Sequence, residues 1–251
     1  MNLIVDIGNS SAKAAVFNGD DMVMRKRLNA DLVDNIAMIA ADYDIDACAF
    51  SSVGRPRPDV AEAIRHLVPG ALHVTGITPT SLICDYSTPE TLGADRLAAA
   101  VGATWCRPNA DLLIIDAGTC ITYDYVSADG HYLGGNISLG LGMRLRALHE
   151  QTARLPLVSA DGDLTNIGRN THEAIRTGVI KGMDYEITGY IRRMWQQHPN
   201  AHIFVTGGNG YRFAQETEVE RNDALVEIGL NCILQYQNRW LHSTNTWPPQ
   251  Y

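Results

Sequence analysis

Asn2–Phe17, NLIVDIGNSSAKAAVF, and Leu112–Val126, LLIIDAGTCITYDYV, decide how this chain folds. Each is an apolar run that ends in aspartate, followed by x-Gly, a small polar residue and a second β-rich run. Short apolar, β-branched runs on either side of a glycine breaker predict strand, tight turn, strand. Asp6 and Asp116 stand 110 residues apart, so the unit occurs twice. A third strand is expected after each copy, at Met22–Leu28 and at His131–Leu139.

Helical spacing follows each copy: Leu32–Tyr43 and Asp59–Leu67 in the first half, Thr171–Trp195 in the second. Gly178, Gly182 and Gly189 weaken the last of these. His202–Val205 reads as a short buried strand leading into Thr206-Gly207-Gly208-Asn209-Gly210. Strands alternating with helices give an α/β class. The duplication predicts two similar lobes, residues 1–109 and 110–251, divided near Arg107–Asn109. The tail from Thr244 holds Pro248 and Pro249 and is expected to be irregular.

The 251 residues are 45% hydrophobic and 19% charged, enough for a substantial core. A net charge of -8 without a block of Lys or Arg argues against non-specific nucleic-acid binding. No apolar stretch reaches the roughly 20 residues that span a bilayer, and the N-terminus does not read as a signal peptide. Five cysteines, none in a CxxC pair, read as reduced thiols of a cytoplasmic protein.

Two Asp-x-Gly turns point to polyphosphate. Gly8 and Gly118 allow close backbone approach, while Asn9, Ser10 and Thr119 add donors beside the turn amides. Asp6 and Asp116 end buried strands, where a carboxylate needs a cation or its water shell, and oxygen ligands suit magnesium. Lys13 lies on the returning strand, where it either reaches a phosphate or is a solvated strand lysine. Gly207, Gly208 and Asn209 suit the flat approach of an adenosine, or form a ligand-free turn. Neither a Walker P-loop nor a Rossmann glycine motif is present.

Tyr86–Arg96, YSTPETLGADR, joins an aromatic hydroxyl, a proline, a glycine turn and an acid beside a guanidinium. Asp95 suits a base that accepts a hydroxyl proton, and Arg96 suits an anionic substrate group. Alternatively Gly93-Ala94-Asp95-Arg96 is simply a helix start, with an acid favourable in the first turn.

In order, the turns at Asp6 and Asp116 and the Gly207-Gly208-Asn209 segment resemble the acetate and sugar kinase, heat-shock-protein-70 and actin superfamily. The resemblance implies two ribonuclease-H-like lobes around a nucleotide cleft. Within it, Y-x-x-P-x-x-L-G-x-D-R at Tyr86–Arg96 and D-I-G-N-[ST]-x-x-K at Asp6–Lys13 resemble the type III pantothenate kinases. That implies ATP-dependent phosphorylation of pantothenate to 4′-phosphopantothenate, with Asp95 as base and Tyr86, Gly93, Ala94 and Arg96 lining the substrate pocket. It also implies ATP with magnesium at Asp6, a monovalent cation (potassium or ammonium) at Asp116, and an ATP contact at Thr119. Asp124 matches a further acidic position of the second hairpin. The resemblance implies a homodimer too, with Thr171 reaching the neighbour's pocket. An actin-like or chaperone-like ATPase and a non-catalytic regulatory protein of the same fold are the alternatives.

Overall fold

The computed structural model describes residues 1–54, 57–208 and 218–242. Asn209 and the tail from Thr244 lie outside these residues. The chain forms two compact units, the first comprising Met1–Asn109, Asp129–Leu133 and the described residues from Ala224 onward. The second comprises Ala110–Ala128 and Gly134–Asp223.

The first unit begins with β1 (Asn2–Ile7), β2 (Ala12–Asn18) and β3 (Asp21–Leu28), an antiparallel meander. Then come α1 (Leu32–Asp42), β4 (Ala47–Ser52), α2 (Pro58–Leu67) and β5 (Leu72–His73). The two-residue strand β6 (Ile83–Cys84) and the helix α3 (Ala94–Cys106) follow. The five-stranded sheet runs β3-β2-β1-β4-β5, with β4 parallel to β1. Strand alternation sends Leu3, Val5, Ile7, Ala14, Val16 and Phe50 into one core with Ile36, Ile39, Val60 and Ile64 of α1 and α2. Burying each branched side chain contributes about 1.5–3 kcal/mol. Helix α1 forms because Leu32, Asn35, Ile36 and Ile39 recur on one face. Pro58 opens α2, its fixed φ suiting a first helical position.

The second unit repeats the order. Its elements are β7 (Leu112–Ala117), β8 (Cys120–Val126), β9 (His131–Leu139), α4 (Leu141–Glu150), α5 (Thr171–Gln197), β10 (His202–Thr206) and β11 (Val219–Arg221). Its strands run β9-β8-β7-β10-β11, with β8 antiparallel and β10 parallel to β7. The first residues of β9 belong to the first unit, where His131 and Tyr132 pair with Ile83 and Cys84 of β6. Leu113, Ile115, Ile121 and Tyr123 pack on Met183, Ile187 and Ile191 of α5. That helix runs unbroken through Gly178, Gly182 and Gly189, whose missing side chains leave open space.

The two units are not consecutive halves, because α6 (Leu225–His242) returns to the first. It lies on α3 with the backbones nearly touching. A Cβ on Gly229 would stand 1.8 Å from the Ala98 carbonyl oxygen, and one on Gly102 2.2 Å from that of Leu225. No larger side chain fits either position, so this pair of glycines fixes the crossing. Helix α6 also packs on β1, β2 and β4, covering the sheet face opposite α1 and α2. The folding reason is plain: Leu225, Val226, Leu230, Ile233 and Leu234 are all buried. Both units thus have ribonuclease-H-like strand order, and the α/β class with two such lobes stands.

Candidate active site

In the first unit, Asp6 is the penultimate residue of β1 and is 7% exposed. The Ser51 hydroxyl donates to its Oδ1 at 2.8 Å from the parallel neighbour β4. Lys13 is its register partner on β2. Burial pushes the Asp6 carboxyl up to about 6; Ser51 pulls it down, Glu227 up, Lys13 down and Asp95 up. Asp6 and Asp95 are therefore close enough to feel each other's charge. Gly8, Asn9 and Ser10 form the turn that follows, closed by the Gly8 N–H donating to the Ser11 carbonyl at 3.0 Å. The turn lines a cavity of about 540 Å³, which Arg27, Asn29 and Arg57 also line. The Arg57 guanidinium is paired with Asp59 at 2.8 Å, which leaves Arg27 and the turn amides as the groups lining this cavity that suit an anion.

The Tyr86–Arg96 segment lies in the same unit. Pro89–Thr91 forms one 3-10 turn, and α3 starts at Ala94 with Gly93 as the preceding cap. Asp95 sits in that first turn, where its Oδ1 accepts the Arg96 N–H at 2.9 Å. Asp95 therefore begins a helix, and its charge is felt at Asp6. Arg96 is 6% exposed, with its guanidinium carbon 5.7 Å from the Tyr86 ring centroid. Tyr86 leans on buried Tyr132, ring centroids 6.2 Å apart. The Asp85 N–H donates to the Tyr132 carbonyl, and Asp85 Oδ2 lies 2.9 Å from His131 Nδ1. Asp85 and Tyr86 thus tie the segment to the start of β9.

The second unit gathers Asp116, Gly118, Thr119 and Gly207. Asp116 is half-buried near the end of β7, facing Thr122 across β8 and Thr206 across β10. Gly207 has φ +101°, and a Cβ there would lie 2.6 Å from Asp116 Oδ1 and from the Ala117 backbone carbon. Only glycine fits both the dihedral and the space. The Thr119 carbonyl accepts the Gly140 N–H at 3.1 Å, joining the second turn to the start of α4. Gly208 follows Gly207 directly, while Asn209 is outside the described residues. Asp124 is buried within β8, opposite Ile114. Thr171 is the exposed first residue of α5, whose cap Asn170 accepts the Glu173 N–H at 3.0 Å. It borders an open, largely apolar groove of about 950 Å³ between α4 and α5.

Four contributors were not singled out in the sequence: Ser51, Arg27, Arg57 and Glu227. A signal existed for Glu227, an acid inside Leu225–Leu230 with apolar residues on every side, which marks a buried carboxylate. Ser51, Arg27 and Arg57 carry no local pattern. Among the described residues no cluster of three or more His, Cys, Asp or Glu can hold a metal ion. Magnesium held by one carboxylate, water and phosphate oxygens needs no such cluster. The Asp6 environment fits that mode, because a carboxyl pushed upward by burial, and further by two neighbouring acids, is relieved by a cation.

The type III pantothenate kinase family profile matches residues 2–193. A type III pantothenate kinase of Bacteroides fragilis is 44% identical over 240 residues, covering 95% of this chain and 99% of that protein. Among solved structures, a Campylobacter jejuni protein assigned to the Baf family of transcriptional activators superposes with a TM-score of 0.61. It is 20% identical and covers 94% of this chain and 99% of its own. The activator of the 2-hydroxyisocaproyl-CoA dehydratase from Clostridium difficile, solved with bound ADPNP, gives 0.55 at 12% identity, covering 98% and 99%. These two likenesses bear on the fold alone, whereas the profile and the sequence relative extend over most of the chain. This chain belongs to the type III pantothenate kinase family.

Proposed function

We propose that the protein transfers the γ-phosphoryl group of ATP to the primary hydroxyl of pantothenate, giving 4′-phosphopantothenate, the first step of coenzyme A biosynthesis. What carries this reading is membership of the type III pantothenate kinase family over most of the chain; it is supported by Asp95 at the start of α3, whose charge acts on buried Asp6 at the first phosphate turn. The hydroxyl oxygen attacks the γ-phosphorus, the bond to the bridging oxygen of ADP breaks, and Asp95 takes the hydroxyl proton. The Arg96 amide on Asp95 Oδ1 fixes the orientation of that carboxylate. Arg96, braced by Tyr86, suits the pantothenate carboxylate, with Gly93 and Ala94 beside it. Lys13 and the donors of Gly8–Ser10 suit the phosphates, as do Gly118 and Thr119. Gly207, Gly208 and Asn209 suit the adenosine. Magnesium beside Asp6, held directly or through water, supplies charge neutralisation on the phosphate oxygens. Asp116 suits a monovalent cation, potassium or ammonium.

A homodimer is part of this reading. Thr171 borders an apolar groove that a second copy suits, and its hydroxyl would meet the neighbour's pantothenate. No helix among the described residues is long and apolar enough to cross a membrane. We place the enzyme in the cytoplasm, where ATP and pantothenate meet, without a nucleic-acid or membrane partner. The test is ADP release from ATP and magnesium, with and without pantothenate, in potassium and in sodium buffers. Pantothenate-dependent release that requires potassium is expected. Release without pantothenate would replace the kinase by an ATPase, and none at all would favour a regulatory protein.

A further inference from the structure

We propose that Glu227, in the first turn of α6, is a positioning residue that holds the Lys13 ammonium at the first phosphate turn and so acts on ATP through Lys13. This rests on the nucleotide reading of that turn. The Glu227 side chain is 0% exposed, and a carboxylate is buried only at a penalty that neighbouring cations must offset. Its Oε1 faces two of them. Arg25 Nε donates to it at 2.9 Å, whereas Lys13 Nζ stands at 3.9 Å. Its Oε2 is buried without a hydrogen-bond partner. Arg–carboxylate pairs are frequently bidentate; this one engages a single oxygen.

The unequal distances matter. Arg25 takes the hydrogen bond and offsets most of the Glu227 charge. Lys13 is close enough to be held in direction but too far to spend its N–H groups on Glu227. An ammonium on a four-carbon stem otherwise samples many rotamers. Here it is drawn between Glu227 and Asp6, its register partner, with donors left for a third anion. Helix α6 is a rigid mount for this. One turn beyond Glu227, buried Asn231 accepts the Asn2 side-chain N–H at 2.9 Å and donates to the Gly19 carbonyl at 3.0 Å. Those bonds anchor the helix to β1 and to the β2–β3 hairpin, the strands that flank the phosphate turn and carry Lys13 and Arg25. Asp95 is the remaining charge near Asp6.

The test uses Glu227→Gln, which removes the charge and keeps the shape, Lys13→Met, which keeps the stem and removes the ammonium, and the double variant. MgATP affinity is read by direct titration, KM for ATP and for pantothenate by steady-state kinetics, and folding by urea midpoint. Glu227→Gln is expected to weaken MgATP binding and raise the ATP KM about tenfold, leaving the pantothenate KM within about twofold. In the Lys13→Met background the same change should have less than about a twofold effect on ATP, because its route of action is gone. Equal losses in both backgrounds, or a folded Glu227→Gln that binds MgATP as the unmutated protein does, overturn the proposal. Should Glu227→Gln fail to fold, Glu227→Asp carries the test. It keeps the charge one carbon further back and is expected to bind MgATP more weakly than the unmutated protein, an effect again lost with Lys13→Met. Unchanged binding in that variant overturns the proposal as well. An unmutated protein that binds no MgATP overturns the nucleotide reading together with this one.

Discussion

Replacing Asp6 by asparagine should stabilise the ligand-free protein while abolishing its activity. The Asp6 carboxyl ordinarily titrates near 3.8 and is pushed up to about 6, chiefly by burial. At about 1.4 kcal/mol per tenfold change, the folded state carries a penalty of about 3 kcal/mol once Asp6 is ionised. The sign follows from proton counts. Between pH 3.8 and about 6 the folded state holds the proton and the unfolded chain has lost it, so stability falls as pH rises through that window. Below it both states are protonated and the penalty is absent; above it the penalty is complete. Asparagine keeps an acceptor for the Ser51 hydroxyl and cannot ionise. Urea unfolding in EDTA without nucleotide should therefore show Asp6→Asn and the unmutated protein nearly equal at pH 4. At pH 8 the variant should be more stable by up to about 3 kcal/mol, or about 6–12 °C in Tm for a chain of this size. Adding MgATP should raise the Tm of the unmutated protein and not that of the variant. A stability difference that does not change with pH, or a variant less stable at pH 8, would refute the assignment of a strained, ionised Asp6.

Asp95→Asn should cut turnover by at least about a hundredfold while ATP still binds by titration, as expected for loss of a general base. Gly207→Ala forces a side chain into a positive-φ site 2.6 Å from Asp116 and should cost about 1–3 kcal/mol in urea unfolding, with weaker ATP binding. Of the five thiols, exposed Cys84 should react with a disulfide reagent at pH 8 within minutes. Cys48 and Cys232, both pushed up to about 12 chiefly by burial, should react only after unfolding. Thr122→Lys places a cation opposite Asp116, where β2 already has Lys13 opposite Asp6. It should reduce the dependence of turnover on potassium, measured as the ratio of rates in potassium and sodium buffers.

The sheets were legible because their signal is local. Strands Asn2–Ile7 and Leu112–Ala117 end where their aspartates and x-Gly breakers say, and the 110-residue repeat predicted two copies of one topology. Helices α1, α2 and α5 showed the same clarity, since one buried stripe determines each. Helix α6 was missed, and its destination was not legible. Nothing near Gly229 says that the Ala98 carbonyl will press against it, because that contact joins residues more than a hundred positions apart. For the same reason the sequence assigned Asp6 and Lys13 to a turn but could not supply Ser51, Arg25 and Glu227. These set the electrostatics of that turn only once β3, β4 and α6 are in place. Helix α4 was also missed, since its glycine-bearing start hides the periodicity.

The duplicated scaffold explains why the two turns need not share one chemistry. In each unit the aspartate is the penultimate residue of the first strand, with a hydroxyl residue beside it on the fourth strand: Ser51 for Asp6, Thr206 for Asp116. The second strand differs, with Lys13 opposite Asp6 and Thr122 opposite Asp116. By strand alternation both aspartates point away from the core that α1 and α2 build in one unit and α5 in the other. In the first unit α6 covers that opposite face and brings Glu227 to Lys13 and Arg25. One copy therefore has covalently attached cations held in place by a buried acid. The other places threonines, Thr122 and Thr206, at the register positions on either side of its half-buried aspartate. On electrostatic grounds fixed cations suit a phosphate whose negative charge must be held throughout the transfer, which is consistent with the exchangeable monovalent ion proposed for Asp116. A duplication that kept the backbone, exchanged a threonine for Lys13 on the second strand and added α6 with Glu227 separates the electrostatics of the two turns.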